Sequence, residues 1–168
     1  MELESPESQS ERPHLLRAWW PAAAWIGLIG LESTEYLSSE NTGNLLFGLL
    51  TGVFGQIDIH DFQIWHHYLR KTGHVVVYGI LSLLFLRAWR ATLARTRGWN
   101  WRPAIFAWLA TASVAAMDEW HQTFIPSRTG TARDVVLDSV AGLGFLLAAY
   151  FWLRRSARNS PLPHFDAP

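Results

Sequence analysis

Four stretches of this 168-residue chain are almost free of charged residues, and they constrain its fold more than any other feature. They are Ala18 to Leu31, Gly73 to Leu86, Pro103 to Met117 and Val135 to Leu153, the last interrupted only by Asp138. Extended at its ends, each reaches roughly 17 to 20 residues, about the length of helix that crosses ~30 Å of hydrocarbon. A soluble bundle is the alternative, but its helices would carry charge on their outer faces, whereas these stretches are apolar all round. The sequence therefore predicts an all-α fold, a small four-helix transmembrane bundle.

The basic residues are spread unevenly over the loops, and this predicts the orientation of the helices. If the N terminus, the second loop and the C terminus lie on one side, ten of the 14 basic residues lie there. The other side keeps four, Arg70, Lys71, Arg128 and Arg133. By the positive-inside rule, both termini are then cytoplasmic. Tryptophans near both ends of the predicted helices are typical of interfacial belts.

The chain divides into a membrane domain and two polar tails. Residues 1–14 contain four glutamates, two prolines and three serines, which predicts a disordered cytoplasmic tail. Residues 15–153 form the predicted membrane domain, and residues 154–168 form a second cytoplasmic tail. Between the first two spans, the apolar segment NLLFGLLTGVFG has only 12 residues. Because it is too short to span, we expect an extra interfacial or re-entrant segment there.

Composition excludes several classes of function. A chain without cysteine has no disulfide and no thiolate metal ligand. A formal net charge of zero gives no attraction to phosphate backbones, so no nucleic-acid partner is expected. Eight imidazole or carboxylate side chains on the outer half are of types that suit zinc: His60, Asp61, His66, His67, His74, Asp118, Glu119 and His121. Their spacings match no standard metal motif, so we expect neither a metal nor another cofactor.

Polar residues recur at helical spacing in and beside three of the apolar stretches. They form three stripes, one on each predicted helix. The first consists of Lys71, His74, Tyr78 and Ser82, the second of Thr111, Asp118 and Gln122 with Glu119 beside them, and the third of Asp134, Asp138 and Gly142. Residues three or four apart share one face of a helix. An ionisable group in a membrane span costs a few kcal/mol and is expected to face the bundle interior beside a partner. The stripes therefore predict one polar cluster in the outer half of the bundle.

The loop IPSRTGTARD joins the third and fourth spans and carries Arg128 and Arg133. Arginine binds phosphate or carboxylate groups with two parallel hydrogen bonds, so these residues are candidates for holding an anionic ligand. The structural alternative is that they pair with the acids Asp118, Glu119, Asp134 and Asp138 and only hold the helix ends together.

Two segments, KTGHVVVY and DEWHQTFIPSRTGTARDVVLDSVAG, resemble the VanZ-like family of bacterial integral membrane proteins. Eleven positions match in order: Lys71, His74, Tyr78, Asp118, Glu119, Gln122, Phe124, Pro126, Arg128, Asp134 and Gly142. The resemblance covers about Leu15 to Leu153 and implies a four-helix bundle in the bacterial cytoplasmic (inner) membrane, part of the cell envelope. Two positions depart from the pattern, since Arg70 stands where an acid often precedes the lysine and Asp138 stands where asparagine is expected.

The family is named for an accessory protein of glycopeptide (antibiotic) resistance and implies no settled reaction, so three functions stay open. The first is binding of an anionic lipid or cell-wall-precursor headgroup in an outward pocket. Its expected donors are Lys71, His74 and Arg128, with Arg133 as a further candidate, and the acids that would orient them are Asp118, Glu119, Asp134 and Asp138. The second is a membrane hydrolase or transferase acting on a lipid-linked phosphate or ester, with Glu119 or His74 as general base. The third is a purely structural polar core, or assembly with a membrane-protein partner.

Overall fold

The computed structural model describes residues 6–34, 39–93, 99–126 and 128–159 of the chain. Within these ranges the prediction of an all-α fold is confirmed, with five helices and no strand. The helices are α1 (Pro6–Glu32), α2 (Ser39–Phe54), α3 (Ile59–Leu93), α4 (Trp101–Gln122) and α5 (Ala132–Asn159).

Short polar side chains and one glycine set several helix ends. The Asp58 carboxylate accepts hydrogen bonds from the backbone amides two and three residues later, at 2.7 and 3.2 Å, and so caps the start of α3. The Asn100 side chain caps α4 by accepting from the amide of Arg102 at 3.0 Å. Gly55 follows α2 with a φ of 85°, a conformation that favours glycine. These local signals separate α2 from α3 with only a short turn.

The central helix is α3, which contacts α1, α4 and α5, whereas α2 contacts only α3 among the described residues. Close approach of α5 to α4 depends on a small residue, because a Cβ added at Gly142 would lie 3.1 Å from Thr111 Cγ2. The core among these helices contains both large and small apolar side chains, including Tyr78, Leu81, Ala107, Ala115 and Leu146.

Two helical segments, Ile59–Leu93 and Ala132–Ser156, are long and apolar enough to cross a membrane. With 35 residues, α3 is roughly 50 Å long, so it extends beyond ~30 Å of hydrocarbon. The outer surface of the bundle carries many large apolar side chains, among them Leu28, Ile105, Leu109, Val136, Val140 and Phe151. A protein in lipid is expected to carry apolar side chains on its outer surface and polar ones inside, so this arrangement favours a membrane protein.

Aromatic and basic side chains gather at one end of the bundle. The Trp19 ring lies 5.0 Å from Trp89, and the Trp99 ring lies 5.2 Å from Tyr150. The Arg154 guanidinium lies 5.5 Å from the centre of the Tyr150 ring. These residues come from the helix ends that the charge distribution assigns to the cytoplasmic side.

Several helices are longer than the apolar stretches that predicted them. α1 begins at Pro6, so residues 6–14 of the expected disordered tail are helical here, and α5 continues to Asn159, into the expected C-terminal tail. Residues 1–5 and 160–168 of those tails lie outside the described ranges. Polar residues such as glutamate, glutamine and arginine readily propagate an existing helix, so apolarity alone underestimates helix length. The segment expected to be interfacial or re-entrant forms part of α2.

Candidate functional site

Ionisable side chains from α3, α4 and α5 meet in the half of the bundle away from Trp19, Trp89 and Trp99. His74, Glu119 and Asp138 each come from a different one of these helices, and each offers one nitrogen or oxygen atom within 4.8 Å of the other two. The convergence expected from helical spacing is therefore present. Whether this cluster binds a ligand stays a prediction.

The loop between α4 and α5 packs tightly against α4 and holds the cluster from outside. A Cβ added at Gly130 would lie 2.1 Å from the carbonyl oxygen of Glu119, so only glycine fits there. The next residue, Thr131, donates its backbone amide to Glu119 Oε2 at 2.7 Å. Its hydroxyl accepts from the amide of Asp134 at 3.2 Å and caps α5. One tight loop thus fixes both the Glu119 carboxylate and the start of α5.

Two buried carboxylates, those of Glu119 and Asp138, lie beside the partly buried ring of His74. Asp138 is 0% exposed and Glu119 is 4% exposed. His74 Nδ1 lies 3.3 Å from Asp138 Oδ2. Glu119 Oε1 and Asp138 Oδ1 are buried and accept no hydrogen bond within the described part of the chain. Buried carboxylate oxygens normally have a partner, so these two atoms require an explanation.

A second group centres on the Asp118 carboxylate. The buried Tyr78 hydroxyl donates to Asp118 Oδ2 at 2.9 Å, which links α3 to α4. The Gln122 amide donates to the same oxygen at 3.1 Å from one turn further along α4. Two donors on one oxygen fix the orientation of this carboxylate, and a hydrogen bond to a charged group contributes about 1.5–3 kcal/mol.

Lys71 and Asp134 form an ion pair that joins α3 to the first turn of α5. The lysine side chain is 34% exposed, so the pair lies towards the surface of the cluster. Because solvent screens a pair of this kind, its contribution to stability is modest.

Arg128 extends from the loop towards the end of α1. Its guanidinium donates to the backbone carbonyl of Glu32 at 2.5 Å, a contact that ties the loop between α4 and α5 to α1. Burial, followed by the positive charge of Arg70, lowers the pKa of Arg128 from its ordinary value. The guanidinium nevertheless stays protonated at neutral pH. A partly desolvated cation therefore lies at the edge of the cluster.

Other residues singled out in the sequence lie apart from these contacts. Arg133 is exposed on the first turn of α5, although the sequence made it a candidate for holding an anion. Phe124 and Pro126 of the family pattern are also exposed. The candidate metal ligands His60, Asp61, His67 and His121 are exposed as well.

The structure adds three residues that sequence reasoning did not select, namely Glu32, Ser33 and Thr131. Thr131 had a detectable signal, since Thr-x-x-Asp before an apolar run is typical of a helix start. Glu32 and Ser33 follow the apolar part of α1 and begin the stretch ESTEYLSSENTG, which resembles a serine-bearing segment of some members of the VanZ-like family, but neither residue was selected for the site. Ser33 is buried, and its Oγ has no hydrogen-bond partner among the described residues.

A narrow cleft opens beside the cluster between the ends of α1 and α4, the middle of α3 and the loop that carries Arg128. Its lining includes Glu32, Ser33, His74, Tyr78 and Arg128. Water-sized groups have about 10 Å³ of free space in it, which is room for about one water molecule. The cleft therefore admits a single atom or a small ion without rearrangement.

Together, the apolar outer surface and the two long apolar helices indicate a small α-helical membrane protein that encloses a buried polar cluster. A sequence model of the VanZ/LLP1 family matches residues 18–154, so the chain belongs to the VanZ-like family, as its motifs predicted. No curated protein and no solved structure matches the chain.

Proposed function

We propose that this protein is a multi-pass component of the bacterial cytoplasmic membrane in which α1, α3, α4 and α5 all cross the bilayer. In this arrangement α2 lies at the outer interface, both termini are cytoplasmic, and residues 15–153 act as one membrane domain. The proposal is supported by the length of the helices and by the aromatic and basic residues at one end of the bundle.

We further propose that the outward-facing cleft binds the anionic headgroup of a lipid or of a lipid-linked cell-wall precursor. The observation that carries this proposal is the half-buried Arg128 guanidinium, which lines the cleft together with His74. A cleft with room for one water molecule also has room for one phosphate or carboxylate oxygen, while the rest of the headgroup stays at the rim. Headgroup binding then competes with the Glu32 carbonyl for Arg128.

Thermal unfolding in detergent, with phosphatidylglycerol or phosphatidylcholine added, tests this proposal. For the wild type we expect a larger rise in Tm with the anionic lipid. Arg128→Ala lowers the stability by about 1.5–3 kcal/mol, because it removes a charged hydrogen bond, and it abolishes the preference for the anionic lipid. Arg128→Lys keeps the positive charge but lacks the planar guanidinium group that forms two parallel hydrogen bonds, so most of the preference for the anionic lipid disappears.

Arg133→Ala is the matched control, since Arg133 is an exposed arginine only five positions away. This variant keeps both the stability and the lipid preference of the wild type. An Arg128→Ala protein with an unchanged Tm and the same response to phosphatidylglycerol contradicts the proposal. A link to glycopeptide resistance is tested separately, by the susceptibility of cells that express the wild type or Arg128→Ala.

One observation favours a membrane hydrolase as a second candidate function. His74 contacts Asp138, and the buried hydroxyl of Ser33 lines the same cleft as His74. A carboxylate, an imidazole and a serine are the groups used in acyl transfer, in which histidine takes the serine proton. A fluorophosphonate probe that labels the wild type but not Ser33→Ala supports this function, and a wild type that stays unlabelled contradicts it.

A further inference from the structure

We propose that His74, Glu119 and Asp138 bind one divalent transition-metal ion such as Zn²⁺ or Mn²⁺. The site is separate from the contact that Arg128 makes, and the inference does not depend on headgroup binding. It uses residues of α3, α4 and α5 that the described hydrogen bonds leave only partly satisfied.

The spacing of the three side chains fits a common ion. Each offers one ligand atom, and all three atoms lie within 4.8 Å of one another. Zinc–nitrogen and zinc–oxygen bonds are about 2.0–2.2 Å long, so two ligands at tetrahedral angles on one ion are about 3.3–3.6 Å apart. Side-chain rotations that bring the ligand atoms together by about 1 Å close this difference.

Two unpartnered oxygen atoms provide an independent reason for a cation. Glu119 Oε1 and Asp138 Oδ1 are buried and accept no hydrogen bond from the described residues. Both residues are at least nine-tenths buried, at 4% and 0% exposure. An ionised carboxylate buried without compensation costs several kcal/mol. A metal ion bound by these two carboxylates offsets that cost.

The charges around the cluster also favour a bound cation. Lys71 is engaged with Asp134 at the surface, and Asp118 already accepts from Tyr78 and Gln122. Glu119 and Asp138 remain deeper inside, with His74 as their neighbour. A dication balances both carboxylates and lets a neutral imidazole act as a ligand, whereas a protonated His74 balances only one of them.

The chemical types of the three ligands determine which metal ions fit the site. Imidazole suits zinc, copper, iron and nickel, while carboxylates suit harder ions, so one histidine with two carboxylates favours Zn²⁺, Mn²⁺ or Fe²⁺ over Ca²⁺. Three protein ligands leave at least one coordination position for water. His74 also lines the cleft that has room for one water molecule, so the ion would lie beside it.

Metal binding by the detergent-purified, full-length protein tests the site with no lipid added. The protein is stripped with EDTA, incubated with Zn²⁺ or Mn²⁺ alone, and passed over gel filtration, after which metal is measured by mass spectrometry. We expect one equivalent of metal and a rise in Tm. Glu119→Gln, Asp138→Asn and His74→Gln preserve side-chain size, and each weakens binding by at least about 10–100-fold, the loss typical even of residues that only support a ligand.

Asp61→Asn and His121→Gln, which alter exposed residues of the same types, keep the single equivalent. The inference is overturned if the wild type retains well below one equivalent, or if the control variants lose as much metal as the site variants. A wild type that binds no metal while Glu119→Gln raises Tm means that a proton satisfies the carboxylates instead. If the site variants fail to fold, the visible spectrum of the Co²⁺-loaded wild type decides, because the absence of ligand-field bands displaceable by Zn²⁺ also overturns the site.

Discussion

Gly130→Ala is the substitution that tests most sharply how the loop between α4 and α5 builds the polar cluster. The added Cβ would lie 2.1 Å from the Glu119 carbonyl oxygen and 2.9 Å from Thr123 Cγ2. An ordinary carbon–oxygen contact is about 3.3 Å or longer, so the loop must move by roughly 1 Å. The obstacle is helix backbone, which cannot rotate away as a flexible side chain does.

The displacement has two costs that follow from the structure. Overpacking a tight contact costs about 1–3 kcal/mol. The loop also carries the Thr131 amide away from Glu119 Oε2, its acceptor at 2.7 Å, and a hydrogen bond to a charged group is worth about 1.5–3 kcal/mol. Because the two costs partly overlap, we expect a loss of about 2–5 kcal/mol, a large fraction of the stability of most domains.

The free energy of unfolding can be measured in mixed micelles by titration with a denaturing detergent, followed by the fluorescence of the ten tryptophans. Gly144→Ala is the control, because an added Cβ at this α5 position meets nothing within 4 Å. Alanine is the better helix former, so this variant unfolds like the wild type or gains up to about 1 kcal/mol. A Gly130→Ala protein within about 0.5 kcal/mol of the wild type refutes the described packing of the loop.

Three further predictions concern the bundle and its cluster. The chain has no cysteine, so single cysteines can be introduced to test its orientation. Cysteines at Asp58 and Thr129 should react with an impermeant reagent from outside the cell, whereas those at His14 and Asn100 should react only after permeabilisation. The reverse pattern contradicts the proposed orientation. Tyr78→Phe removes the donor to Asp118 and should cost about 1.5–3 kcal/mol in the same unfolding assay, whereas the exposed Tyr68→Phe should cost nothing measurable. A Cβ added at Gly79 would lie 2.5 Å from the Phe145 ring, and Gly79→Val adds further carbon atoms there. This variant should therefore lose about 1–3 kcal/mol of stability by overpacking the contact between α3 and α5. A variant as stable as the wild type would refute that contact.

The sequence predicted the helical class and the convergence of the stripes because both follow from spacing along single helices. His74, Glu119 and Asp138 meet since each is placed by its own helix on the face that packs inwards. The extent of the helices was less predictable. α3 begins at Ile59, well before its apolar stretch, because the Asp58 cap sets its start.

Contacts between loops and distant helix ends had no signature in the sequence. The bond from Arg128 to the Glu32 carbonyl joins positions far apart in the chain, and any backbone carbonyl can accept such a bond. The acid that we predicted as a partner of Arg128 stays a prediction, and the bond to the Glu32 main chain is an additional contact that the sequence did not indicate. The proposed metal ligands likewise have no motif, because each comes from a different helix.

Native mass spectrometry of the lipid retained by the purified protein shows whether Arg128 holds an anionic headgroup. Protein released gently from its membrane should carry an anionic lipid or lipid-linked precursor. Arg128→Ala should lose this adduct, while Arg133→Ala, altered at an exposed arginine, should keep it. If the wild type carries only zwitterionic lipid, or if Arg128→Ala retains the anionic adduct in the same proportion, the cleft beside Arg128 is not the binding site.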